Sequence, residues 1–279
     1  MLKSLLTVTA FSVAALSAPA SAAVVSGFNS TLLPAQDDQA TGPQALGFIA
    51  NFFGNSRTAT YISSNGYVTF NTSQDDYTPV GLGASYTGQP IIAAFYADVD
   101  NEEGGTIGYG SGTFNGRAAL GVTWNEVGVY GGTSDDKRNT FQLLLVDRAD
   151  TGAGNFDIVF NYDKIQWETG SAGGSNGTNG LGGNSASVGY NAGTGGQANT
   201  FFQLAGSQTP GSFIDGRPFA LASNSNVGIA GRYLFQVRDG NVTPPPGVPE
   251  PASWAMMIGG FGLLGAAVRR ARRTTVVLA

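Results

Sequence analysis

The sequence predicts an all-β protein: a single β-sandwich-like domain, flanked by an N-terminal signal peptide and a C-terminal transmembrane helix. Three observations predict it. Short apolar or alternating runs recur between glycine-rich turns from Ala23 to about Asn241, and no amphipathic helix of useful length interrupts them. Glycine is abundant, at 42 of 279 residues, while only 12% of residues are charged, a balance suited to many tight turns. The 17 Phe, 10 Tyr and 3 Trp are enough to build a core, which sets the chain apart from a disordered one.

The elements follow in order. Lys3, the apolar run from Leu5 to Leu16 and Pro19-Ala20-Ser21-Ala22 read as a secretory signal peptide over residues 1–22, cut after Ala22. The first clear strand pair is Ala59 to Ser64 and Tyr67 to Phe70. Asn65-Gly66 between them predicts a type I′ hairpin, because both central positions of that turn need positive φ. Further strands are expected at Ile91 to Ala97, Thr106 to Tyr109, Ala118 to Val127, Thr140 to Val146, Phe156 to Tyr162, Ala186 to Tyr190 and Tyr233 to Val237. Gly170 to Gly183 is Gly/Ser/Asn-rich and reads as a surface loop inside the domain, which runs over 23–241. A stiff proline-rich linker follows over 242–251. Ala252 to Val268 is uncharged and, as a helix, would reach roughly 26 Å, close to a bilayer core. Arg269, Arg270, Arg272 and Arg273 place its far end in the cytoplasm, so the domain faces outward; the helix and its basic tail occupy 252–279.

Composition excludes much chemistry. With no cysteine there is no disulfide, thiol nucleophile or thiolate-held metal. With no histidine there is no Ser-His-Asp triad and no imidazole-ligated zinc. A net charge of −5 argues against nucleic acid as a partner. What remains is carboxylate chemistry. Asp98, Asp100, Asn101, Glu102 and Glu103 form the densest acidic cluster, and on a strand Asp98 and Asp100 share a face. Asp98, Asp100 and Glu102 are therefore candidate ligands for Ca²⁺, which takes oxygen donors; the spacing is not that of an EF-hand. A solvated strand end is the alternative. Asp75-Asp76 and Asp135-Asp136 read as turn acids. Asp98, Asp100, Glu126 and Glu168 are the possible carboxylates for glycoside hydrolysis, though nothing in the sequence pairs an acid with a setting that would raise its pKa. Trp124, Trp167, Tyr130 and Tyr162 lie in or beside strand-like runs, where packing is the default and a sugar platform the rival.

Two resemblances add to this reading. Pro249, Glu250 and Pro251, then Trp254, an apolar span with Gly259-Gly260 and the arginine cluster, resemble the PEP-CTERM sorting signal in its PEPxxWA form. That resemblance implies a Gram-negative envelope, processing by exosortase, transient anchoring in the membrane and coexistence with exopolysaccharide. Ile91 to Asp100, with Ala97-Asp98-Val99-Asp100, resembles the core of the nidogen-like (NIDO) extracellular domain. The likeness continues through Val122 to Val127, Asn139 to Leu145 and Phe156 to Gly170, so the motif-bearing part is about 90–239, with a lead-in from Leu32. Tyr96 stands where the family usually has Trp. This resemblance implies a non-enzymatic role in cell–matrix adhesion; the two together point to a cell-surface or matrix protein for adhesion or biofilm structure, whose partner is an extracellular polysaccharide or a matrix or surface protein. A calcium-dependent lectin for exopolysaccharide and a glycan-active enzyme are the alternatives.

Overall fold

A computed structural model of the chain describes residues 24–131, 137–170, 180–181 and 183–243. The expected signal peptide, most of the Gly170–Gly183 loop, Asp135-Asp136, nearly all of the proline-rich linker and the C-terminal helix lie outside the described residues.

The described residues form two antiparallel sheets and no α-helix. The first sheet orders β1 (Thr31–Leu32), β7 (Thr106–Phe114), β8 (Arg117–Val129), β9 (Asn139–Asp147), β10 (Phe156–Lys164), β13 (Arg232–Arg238) and β14 (Asn241–Thr243). A short strand, β6 (Val99–Asp100), joins it by pairing with the end of β8. The second sheet orders β12 (Phe201–Gln203), β11 (Ser187–Asn191), β5 (Ile91–Tyr96), β4 (Tyr67–Thr69), β3 (Asn55–Ile62) and β2 (Gln44–Phe52). Every expected strand is present. The structure adds β1, β2, β6, β12 and β14.

The core lies between the sheets and follows side-chain alternation. Phe156, Ile158, Phe160 and Tyr162 of β10 point inward with Leu143 and Leu145 of β9, and meet Ile92, Ala94 and Phe95 of β5. Across the interface, Phe95 packs on Phe141 at 5.3 Å between ring centroids, and Tyr162 Oη donates to the Ala94 carbonyl at 2.5 Å. The opposite face of the first sheet is buried too: Leu144, Val146 and Val159 pack under Phe28. That second cover explains the unbroken Leu143-Leu144-Leu145 run, since a strand covered on both faces needs no polar alternation. Trp124 stacks on Phe141 at 4.9 Å, and Trp167 packs edge-on against Phe95. With Tyr162 they are wholly buried, so these three are packing residues; Tyr130 alone of the four candidate platform aromatics is exposed.

The Asn65-Gly66 hairpin is present, but its turn is not type I′. Among these residues only Gly66 has positive φ, at 83°. The Ser63 amide donates to the Tyr67 carbonyl at 3.0 Å, closing a three-residue loop. Such a loop needs one left-handed residue rather than two, which leaves the Asn65 side chain free for other contacts.

At the far edge of the first sheet, the β13–β14 hairpin is tied beside its turn. Asp157 receives Arg148 at 2.7 Å and Arg238 at 2.6 Å, while Arg238 also donates to the Phe156 carbonyl at 2.9 Å.

Candidate functional site

The region around Asp98 is built where the chain changes sheets. β5 carries a bulge opposite Ser187 and Gly189, which sends both Ala94 and Phe95 into the core. The strand then stops. The Val99 amide donates to the Ala97 carbonyl at 3.0 Å, a three-residue turn centred on Asp98. From there β6 pairs Val99 with Val129 and Asp100 with Gly128 in the other sheet. Strand periodicity therefore does not carry from Asp98 to Asp100. Asp100 instead accepts the Glu102 amide at 2.8 Å, as a turn acid does, and Glu102 is exposed. The structure thus does not gather Asp98, Asp100 and Glu102 into one ligand set.

It gathers Asp98 with Asp37 and Asp38, whose carboxylate oxygens lie within 4.8 Å of one another. Asp37 and Asp38 come from the strap 34–41, which is fastened at both ends. Asn101 accepts the Gln36 amide and donates to the Pro34 carbonyl, each at 3.1 Å. At the other end, Ser64 and Gln39 exchange backbone and side-chain hydrogen bonds of 2.9–3.1 Å, and the Thr41 amide donates to Ile62. Asn65 locks the middle. Its Nδ2 donates to Asp38 Oδ1 at 2.8 Å and to the Asp75 carbonyl at 3.1 Å, while its Oδ1 accepts the Val99 amide at 2.8 Å.

The three acids line a cavity of about 230 Å³ with Tyr77 and Tyr130. Asp98 is only 1% exposed, and neither of its carboxylate oxygens has a hydrogen-bond partner; Asp37 Oδ1 is likewise buried and unpartnered. No described cation pairs with any of the three. Burial first, and the charges of Asp38, Asp37 and Asp100 next, push the Asp98 carboxyl up to about 7. Burial, then Asp38, Asp100 and Glu102, push Asp37 up to about 7 as well. Burial also raises Asp38, against the pull of its hydrogen bond from Asn65. Tyr77 is shared with a neighbouring polar cleft of about 570 Å³, also walled by Tyr86, Tyr96, Gln74 and Asp76.

The remaining acids are engaged elsewhere. Glu126 sits at a bulge in β8 with φ of 53°, pairs with Lys164 at 2.6 Å and accepts Thr140 Oγ1 at 2.8 Å; these contacts hold its carboxyl below the ordinary range. Glu168 is sealed from solvent and accepts Ser185 Oγ at 2.5 Å and the Gly211 and Phe213 amides at 2.6 and 2.5 Å.

Asn65 is the residue on which the site's geometry turns. Asn65→Ala should cost about 2–3 kcal/mol, because it strands the buried Val99 amide and removes two donor contacts. Chemical denaturation of the full chain would register it; a loss under about 0.5 kcal/mol would mean the strap and turn hold without it.

Comparison with known proteins gives two family matches. Residues 58–239 match the nidogen-like domain, and residues 247–273 match the PEP-CTERM protein-sorting motif. Alpha-tectorin of Homo sapiens is 33% identical over 240 residues, covering 78% of this chain. Nidogen of Drosophila melanogaster is 26% identical over 211 residues, covering 67%. Protein mesh of Bombyx mori is 29% identical over 163 residues, covering 54%. The matched stretches span only 10% of alpha-tectorin, 14% of nidogen and 10% of protein mesh. No solved structure matches the chain.

Proposed function

As the chain belongs to the nidogen-like domain family, we propose that it is an exported, non-enzymatic module of the cell surface or extracellular matrix, serving cell–matrix adhesion or biofilm structure. Exosortase would process it at the tail that carries the Pro249-Glu250-Pro251 signal, in a Gram-negative envelope, after transient anchoring through residues 252–268. One observation carries the reading: the family match runs from β3 through β13, and the sorting motif follows directly at 247–273. The state of the other acids supports a non-enzymatic role. Glu126 is held in an ion pair and Glu168 is enclosed among its donors, so neither is placed to serve as acid or base toward a substrate.

Co-sedimentation of the full chain with the producing cell's own matrix tests this. Pelleting with matrix but not with a matrix-free control, and without release of reducing ends, is the expected result. No pelleting, or sustained product release, would refute it.

A second reading is favoured by the cleft that shares Tyr77 with the carboxylate cavity. Polar walls with three tyrosines suit a sugar, and the chain would then bind exopolysaccharide directly as a lectin. Loss of pelleting on Tyr77→Ala, with the fold retained, separates this reading from binding to a matrix protein.

A further inference from the structure

We propose that Asp37, Asp38 and Asp98 form a divalent-cation site that takes calcium and fastens the 34–41 strap to the sheet-switching turn. The argument starts from Asp98. A carboxylate that is 1% exposed, with both oxygens unpartnered, is an expensive arrangement unless positive charge meets it. Within the described residues no arginine or lysine does so, and the residues that approach bring more negative charge: Asp37, Asp38 and, further off, Asp100.

The geometry suits an ion. Oxygens sharing one calcium at 2.3–2.6 Å lie at most about 5 Å apart, and these three carboxylates lie within 4.8 Å of one another. Asp98 can offer both oxygens and Asp37 its free Oδ1. Asp38 keeps one oxygen on Asn65 and can offer the other. The cavity of about 230 Å³ leaves room for waters to complete a shell of six to eight ligands. Every donor is a hard oxygen, and the chain has neither histidine nor cysteine, so zinc and copper are poorly served. The flexible, high coordination number favours calcium over magnesium, which demands a tighter octahedron.

The strap explains why the acids come from two distant parts of the chain. Asp37-Asp38 and Asp98 meet only because Asn101, Ser64 and Asn65 hold the strap against the turn. An ion there bonds the same two segments directly.

The test uses the full chain, stripped with chelator and then titrated with calcium chloride, read by calorimetry and by melting temperature. Terbium supplies a second readout, because Tyr77 and Tyr130 line the cavity and can sensitise its emission. One calcium per chain is expected, with a melting rise of roughly 5–10 °C at about a hundredfold excess over Kd. Asp98→Asn should abolish both signals while melting, in chelator, no lower than the parent, since it removes a buried unpaired charge. Should that variant not fold, Asp38→Asn, at a half-buried position, carries the same expectation for binding. Glu102→Gln, outside the cavity, should bind as the parent does. No saturable calcium response, an equal response to magnesium chloride, or an unchanged response in both aspartate variants would overturn the proposal.

Discussion

Gly66→Ala is expected to cost about 4 kcal/mol, among the largest losses any single methyl group could cause in this domain. Two physical terms combine. The residue sits at φ 83°, where an L side chain is strained by about 1–2 kcal/mol. A Cβ built there would lie 1.8 Å from the Phe95 carbonyl oxygen, and that atom is backbone in the middle of the second sheet. It cannot swing aside. Relief requires pulling the β3–β4 turn away from β5, which breaks the Phe95 amide's bond to the Gly66 carbonyl and the Ala97 amide's bond to the Asn65 carbonyl. Those two bonds position the turn that presents Asp98. Denaturant unfolding of the full chain should show the loss, and calcium affinity should fall with it. A loss below about 1 kcal/mol would show that the hairpin shifts freely, against the close packing described.

Glu168→Ala should be nearly as severe, at about 3–4 kcal/mol. One enclosed carboxylate there satisfies the Ser185 hydroxyl and the Gly211 and Phe213 amides. Truncation strands buried donors and opens a cavity, and both effects add. The pH dependence supplies a signature. Burial holds the folded-state pKa of Glu168 above the ordinary 4.5, against the pull of its hydrogen bonds. The folded state therefore binds the proton more tightly than the unfolded one. Stability assigned to this group falls as pH rises through the folded-state pKa and is recovered as pH drops toward 4.5. The gap between parent and variant should accordingly widen on acidification. A gap that narrows over that range would mean that the hydrogen bonds, rather than burial, set the carboxyl's pKa.

The long central strands were legible in the sequence because their composition is one-sided. Ile91 to Tyr96 and Phe156 to Tyr162 are covered on both faces, so apolar residues run together and mark them. The strands without a sequence signal lack one for physical reasons. β1 and β6 are two residues long and exist only through their partners β7 and β8. β2 does alternate, turning Leu46, Phe48, Ala50 and Phe52 to the core, but its outward positions include Ala45, Gly47 and Ile49, so no polar contrast marks the alternation. Half the site was legible. Asp98 stands out in an acidic run, and the family likeness marks the same residues. Asp37-Asp38 carries no local signal, and strand alternation pointed to Asp100 instead. Only the turn at Asp98, where the chain leaves one sheet for the other, decides which acids meet, and no spacing rule encodes it.

The three-residue β14 also decides how the domain bears load. Force arriving past Thr243 falls first on the outermost strand of the first sheet, which is held in register by Gln236↔Thr243, Val237↔Val242 and Arg238↔Asn241. Of its side chains only that of Val242 is buried. Pulling it loose removes little from the core beyond Val242. The next strand is another matter: Tyr233, Phe235 and Val237 of β13 are rooted in the core, and the Arg238–Asp157–Arg148 clamp closes its end. A tug on the C-terminal side thus peels a shallowly rooted strand first and then meets a deeply rooted one.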